Sequence, residues 1–201
     1  MKYQLSTALL GLAATVFAAD DDNQTGPFSL RVKGTAKDSK IDGYLTACHA
    51  GAAIEAICYT EGTPEADSAQ FYFNTTSSDT ADSTVGSLTF NLPYNDDQIL
   101  SQPLSLSYSP NSNVAVPFFG FDAAVSVGFD DEKAIFIQSY QDDSVNTPET
   151  APNPSGQSAD LYQWAVCWQY PVGSYYYQSL GWIQAGSPHN PTCEEVEVTQ
   201  E

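Results

Sequence analysis

The chain has 201 residues, and its 25 Asp and Glu residues outnumber its 6 Lys and Arg residues, which gives a formal net charge of −19 at pH 7. A chain this anionic is repelled by phosphate backbones and by anionic lipid surfaces. We therefore expect neither a nucleic-acid partner nor a membrane partner. The length fits a single domain with a hydrophobic core of its own.

Residues 1–19 have the pattern of a cleavable secretory signal peptide. Lys2 supplies a positive start, an apolar run follows over 5–17, and two alanines end it. The run is too short to cross a bilayer as a permanent helix, which argues against the alternative of a retained membrane anchor. We predict a signal peptide at 1–19, one secreted β-rich domain at 20–201, and an extracellular or cell-wall location.

The four cysteines of an exported domain predict two disulfides. Three connectivities are available, and the spacing favours Cys48 with Cys58 and Cys167 with Cys193. Each bridge is expected to contribute about 2–4 kcal/mol, mainly by restricting the unfolded chain.

The pairing of Cys48 with Cys58 depends on a hairpin formed by residues 44–50 and 54–60. This hairpin would place Cys48 and Cys58 directly opposite each other, where the α-carbon separation suits a disulfide. The alternative is a short helix over 51–57, because that segment contains good helix formers.

Short segments rich in β-branched and aromatic residues recur between turn-forming residues. Strands are predicted at 28–32, 70–74, 86–92, 104–108, 123–129, 134–140, 162–170, 176–183 and 195–199. Pro93 is expected to end the third of these and Pro103 to precede the fourth, and the proline-rich interval 146–158 is expected to be a surface loop. About ten strands without helical periodicity predict an all-β fold, either a β-sandwich or an open barrel of antiparallel strands.

Two sequons are intact, at Asn23 and Asn74. A glycan on either residue implies a eukaryotic secretory route. Asn74 lies at the end of a predicted strand, where a glycan is expected to project into solvent.

Three stretches carry a resemblance to a known family. They are 28–32, the inner segment 42–53 with its Tyr-Leu…His-x-Gly-Ala pattern, and the C-terminal end with its Trp-Ala-Val-Cys-Trp strand and Pro-x-Cys…Val tail. With these the chain resembles a family of small fungal secreted proteins of unknown function. The resemblance implies a secreted β-rich fold and brings no catalytic residue with it.

The chain has no motif for nucleophilic or metal-dependent catalysis. His49 and His189 are the two histidines, no Gly-x-Ser-x-Gly elbow is present, and all four cysteines are assigned to disulfides. Two distant histidines make no zinc pattern, and the acidic clusters lack the spacing of a calcium loop. We expect no catalytic residue of these kinds, no metal and no cofactor, and we expect His49 to be structural and His189 to be an exposed bystander.

Glycoside hydrolysis needs only two carboxylates around a sugar cleft, one of them protonated. Glu55 lies between Ile54 and Ala56 and is the acid whose surroundings suggest a raised pKa. The alternative is that Glu55 faces solvent at the edge of a hairpin or helix.

Aromatic residues crowd into the predicted C-terminal hairpin. The consecutive residues Tyr175, Tyr176 and Tyr177 send side chains to both faces of a strand, so at least one ring is expected to face solvent. Exposed rings hold sugars by stacking on their C–H faces. These three tyrosines and Trp182 are therefore candidate binding residues.

The opposite interpretation is that the rings of this hairpin form the core. Trp164, Val166 and Trp168 alternate along one strand and therefore share a face, which we expect to be buried. Core packing is the main expectation for the tryptophans, and an exposed binding strip is the expectation for the tyrosines.

These observations favour a secreted extracellular or cell-wall protein that binds a carbohydrate or a host-surface component. One alternative is a small secreted glycoside hydrolase that uses an acidic pair. Another is an effector-like domain that binds a protein.

Overall fold

The computed structural model describes residues 23–64, 67–75, 85–95, 98–140, 147 and 158–201. The predicted signal peptide at 1–19 and most of the predicted loop at 146–158 lie outside these residues.

Fourteen strands and one short 3₁₀ turn, Asp67–Ala69, make up the regular structure of the described residues. The first seven strands are β1 (Asn23–Phe28), β2 (Leu30–Gly34), β3 (Asp42–Gly51), β4 (Ile54–Glu61), β5 (Phe71–Thr75), β6 (Val85–Tyr94) and β7 (Gln98–Ser107). The last seven are β8 (Val114–Phe119), β9 (Val127–Phe129), β10 (Ile135–Ser139), β11 (Ala159–Leu161), β12 (Trp164–Gln169), β13 (Tyr177–Ile183) and β14 (Glu194–Gln200). The all-β prediction is confirmed, with more strands than the sequence suggested.

The strands form one antiparallel sheet that returns on itself. Its main path runs β11-β10-β9-β6-β7-β8-β13-β12-β14-β2-β3-β4. The last strand, β4, also pairs with β13 through Cys58 and Ser179 and with β8 through Glu55 and Phe119. The strands β13, β12, β14, β2, β3 and β4 therefore form a closed ring, which protects the edge of β4 from pairing with another chain.

The core lies inside this folded sheet and is built from alternating residues of its strands. In β12, Trp164 and Val166 face inward, as Val196 and Val198 do in β14. The ring of Trp164 packs edge-to-face on Trp182, with centroids 4.7 Å apart. Its Nε1–H donates to the carbonyl of Ile135 at 2.7 Å, so this large buried ring leaves no polar atom unsatisfied.

Two prolines lie inside strands. The expectation that these prolines lie at the ends of strands is therefore wrong. Pro93 pairs with Ile99 and Pro103 pairs with Thr89 in the β6–β7 ladder. The β5–β6 register ends at Phe90, so Pro93 lies where β6 has one neighbouring strand among the described residues, and proline is tolerated at such edge positions.

Both predicted disulfides are confirmed, as is the β3–β4 hairpin, so the helix proposed for 51–57 is wrong. The predicted register is also wrong, because Cys48 lies opposite Ala56 and Cys58 lies opposite Thr46. A register shift between His49 and Gly51 tightens the turn, and the bridge crosses the ladder diagonally with α-carbons 6.0 Å apart. That separation is within the range a disulfide accepts.

The expectation that Asn74 projects into solvent is wrong. Asn74 is buried in β5, and its Oδ1 accepts a hydrogen bond from Gln24 Nε2 at 2.8 Å. Asn23, at the start of β1, is exposed, so the described residues offer a glycan more room there than at Asn74.

Candidate functional site

Three aromatic rings form a continuous exposed surface at the turn end of the β12–β13 hairpin. Trp168 is 45% exposed, Tyr170 is 63% exposed and Tyr176 is 50% exposed. Tyr176 stacks on Trp168 with centroids 5.7 Å apart and lies 4.9 Å from Tyr170. We call Trp168, Tyr170 and Tyr176 the aromatic strip.

The strip continues the face of β12 that forms the core. Trp164 and Val166 are buried on that face, but Trp168 lies two residues further along, where the strand passes beyond the core. The expected burial of Trp168 is therefore wrong. Alternation fixes the face of a side chain but not the point at which the core ends.

Trp182 belongs to the core and not to the aromatic strip. It is 6% exposed and lies opposite Trp164 in the β12–β13 register. Tyr175 and Tyr176 are exposed, as expected for candidate binding residues, and Tyr177 is half-buried.

Hydrogen bonds and a disulfide hold the backbone of the aromatic strip at Trp168. The backbone N–H of Trp168 donates to Thr192 Oγ1 at 3.0 Å, and Asn190 Nδ2 donates to the carbonyl of Trp168 at 3.0 Å. The adjacent residue, Cys167, is bonded to Cys193. These links hold the exposed ring of Trp168 on a fixed backbone.

A second aromatic group joins the hairpin to the tip of β3 and β4. Tyr175 stacks on Tyr177 with centroids 5.9 Å apart, and the ring of His49 meets Tyr175 edge-on at 5.6 Å. The hydroxyl of Tyr177 donates to the carbonyl of His49 at 3.1 Å. The fold thus brings together residues that lie far apart in the sequence.

Glu55 lies opposite His49 in the β3–β4 ladder and is buried, so the expectation of a solvent-facing edge is wrong. Its Oε1 is 3.6 Å from His49 Nδ1. Burial raises the pKa of Glu55 above its usual value, and the nearby His49 partly opposes this shift.

Comparison with known proteins identifies the family. A profile described as "Domain of unknown function (DUF7907)" matches residues 25–201. The chain belongs to the DUF7907 family. No curated protein and no solved structure matches the chain. Because the family carries no assigned function, the role of the DUF7907 domain has to be argued from its own surface chemistry.

Within the described ranges, the His, Cys, Asp and Glu side chains form no group of three or more that could hold a metal ion. The same residues contain no helix with the length and apolarity needed to span a bilayer.

The burial of Glu55 predicts a specific pH dependence of stability. Because its folded pKa is raised, the folded state binds the proton more tightly, and this contribution to stability is lost as pH rises from about 4.5 through the folded pKa. Glu55→Gln removes this titration, so we expect the stability of the variant relative to the native chain to increase as the pH rises above about 4.5.

Thermal unfolding midpoints measured across this range check the prediction. Glu61→Gln, a change of the same charge at an exposed position of β4, serves as the control and should give a nearly constant difference. A Glu55→Gln difference that stays flat or falls with pH would contradict the burial of the carboxylate.

Proposed function

We propose that this DUF7907 domain is an exported, non-enzymatic protein of a fungal cell wall or extracellular space that binds polysaccharide through the aromatic strip. The observation that carries the proposal is a set of three half-exposed rings, in which Tyr176 packs on both Trp168 and Tyr170, on a backbone fixed by a disulfide and side-chain hydrogen bonds.

Exposed aromatic rings are costly to a soluble protein unless a ligand covers them. Each ring presents a large apolar area to water, and contiguous exposed patches of this kind mark binding surfaces. A sugar ring offers a matching apolar C–H face together with hydroxyls at its edge. Gln178, opposite Trp168 in the hairpin, supplies an amide group suited to such hydroxyls.

The compartment is supported by several independent features. The N-terminal segment has the pattern of a signal peptide, and two disulfides suit an oxidising environment. A strongly acidic chain also remains soluble and does not adhere to anionic surfaces.

The hydrolase alternative finds less support. Glu55 is paired with His49, and a different acid, Asp130, serves as a structural acceptor. Asp130 Oδ1 accepts the backbone N–H groups of Glu132 and Ala134, and its Oδ2 accepts the hydroxyl of Tyr162. A carboxylate that holds a turn in this way is a poor proton donor to a glycosidic oxygen.

A pull-down with insoluble chitin, cellulose and β-glucan tests the proposal, with released sugar assayed in the same tubes. We expect the secreted protein to be depleted from the supernatant by at least one polymer without release of sugar. Sugar release would favour the hydrolase. Absence of both depletion and release would favour a protein partner.

A further inference from the structure

The two sequons lie side by side in the fold. The first covers residues 23–25 at the start of β1, and the second begins at Asn74 in β5, the strand that pairs with β1. In the antiparallel register Asn23 lies opposite Thr75, and Gln24 lies opposite Asn74. The aromatic strip contains neither sequon, so the surroundings of each asparagine decide what that residue can carry.

Asn74 is enclosed by the sheet. It lies in β5 between β1 and β6, with Ser87 opposite it on the β6 side. Asn74 is 4% exposed, and its Oδ1 accepts the hydrogen bond from Gln24 Nε2. A glycan is bulky and hydrated, so it could be attached to this amide only by opening the contact with β1 and exposing the side chain. The folded chain therefore has no room for a glycan on Asn74.

Asn23 has the opposite surroundings. Among the described residues β1 pairs with β5 alone, and residues 23–27 of this strand are exposed. Neighbouring side chains of a strand point to opposite faces, so Asn23 and Thr25 share the face opposite to that of Gln24. Gln24 is the side chain that contacts Asn74. A glycan on Asn23 therefore projects into solvent and leaves the contact between β1 and Asn74 intact.

The conformation of residues 23–25 also suits the acceptor motif. N-linked glycosylation needs an asparagine and a serine or threonine two residues later, with no proline between them. Side chains two residues apart in a strand lie on one face, so an enzyme can reach the amide of Asn23 and the hydroxyl of Thr25 from the same side. Both side chains stay accessible in an edge strand, whereas Asn74 loses access once β1 and β5 pair.

We propose that Asn23 carries an N-linked glycan and that Asn74 remains unmodified in the folded protein. The modification forms a bond between Asn23 Nδ2 and C1 of the first sugar. The bond between that carbon and the pyrophosphate of a lipid-linked oligosaccharide breaks, and the amide nitrogen loses a proton as the lipid pyrophosphate leaves. The inference rests on the export part of the proposed function, because this modification belongs to a eukaryotic secretory route.

Mass spectrometry of the full chain, secreted from a eukaryotic host through its own residues 1–19, tests this inference. Peptide N-glycosidase removes an N-linked glycan and converts the asparagine that carried it to aspartate, so peptide masses identify the modified position. We expect the native protein to lose the mass of one glycan, with aspartate at position 23 and asparagine at position 74.

Thr25→Ala and Thr76→Ala form a matched pair of variants, because each removes the threonine of one sequon and keeps its asparagine. Thr25 is exposed, and its hydroxyl donates one long hydrogen bond, of 3.4 Å, to the carbonyl of Phe73. The loss of this hydroxyl should therefore leave the fold intact. We expect complete loss of the glycan in Thr25→Ala and full retention of it in Thr76→Ala.

The inference is overturned if the secreted native chain carries no glycan, if Asn74 carries one, or if Thr25→Ala keeps the glycan. Retention of the chain in the cell with residues 1–19 attached would overturn the proposed export together with this inference, whereas secretion without a glycan would overturn this inference alone. The polysaccharide pull-down measures a different property, so its failure and a failure here are distinguishable.

Discussion

Trp168→Ala is expected to lower the affinity for the bound polysaccharide about thirtyfold, while changing the free energy of unfolding by less than about 1 kcal/mol. Trp168 stacks on Tyr176, so its loss removes one ring of the aromatic strip and the support for a second. The stability cost is small because the ring is 45% exposed and lies beyond the core. Depletion isotherms with the polymer that binds the native protein measure the effect.

Tyr108→Ala is the matched control, since it also removes an exposed ring. Tyr108 follows β7, whose Ser107 pairs with Val116 next to the Trp182 end of β13, so it lies far along the sheet from the strip. The control should retain native affinity. Equal losses in both variants would mean that binding does not depend on the aromatic strip.

Trp164→Ala is expected to lower the free energy of unfolding by about 3–5 kcal/mol. The substitution leaves a cavity beside Trp182 and removes the hydrogen-bond partner of the Ile135 carbonyl in a buried position. Urea unfolding of the native chain and the variant measures the loss.

Trp164→Phe is the milder comparison, because it retains one ring against Trp182 and removes the N–H donor together with part of the indole. We expect it to cost about 1–2 kcal/mol, clearly less than alanine. A Trp164→Ala variant within about 1 kcal/mol of the native chain would contradict the placement of this ring at the centre of the core.

Local patterns in the sequence predicted the strands well where a turn and an alternation coincide. The β3–β4 hairpin, the turn before β10 and the β12–β13 hairpin all follow from such signals. The path of the sheet does not follow from local signals, because the pairing of β4 with β13 and β8 depends on contacts between residues distant in sequence. The register of the β3–β4 hairpin was not predicted, because the two-residue turn between Gly51 and Ile54 and the shift between His49 and Gly51 together place Cys48 opposite Ala56.

The candidate site was predicted in part. The run Tyr175-Tyr176-Tyr177 indicated an exposed ring because neighbouring side chains of a strand point to opposite faces. Trp168 and Tyr170 were missed as strip residues, since alternation placed Trp168 with the buried Trp164. The exposure of Trp168 could have been predicted from the turn at Pro171. This turn shows that β12 ends soon after Trp168, so little protein is left to cover the ring of Trp168.

The most direct test of the central claim is a titration of the protein with soluble chitin, cellulose and β-glucan oligosaccharides, followed by the NMR signals of its three tryptophan indoles. Trp164 and Trp182 are buried, so they serve as internal references for the exposed Trp168. Binding through the aromatic strip predicts a saturable shift of the Trp168 signal with at least one oligosaccharide and little change in the signals of Trp164 and Trp182. A Trp168 signal that stays in place with every oligosaccharide would contradict binding through the aromatic strip.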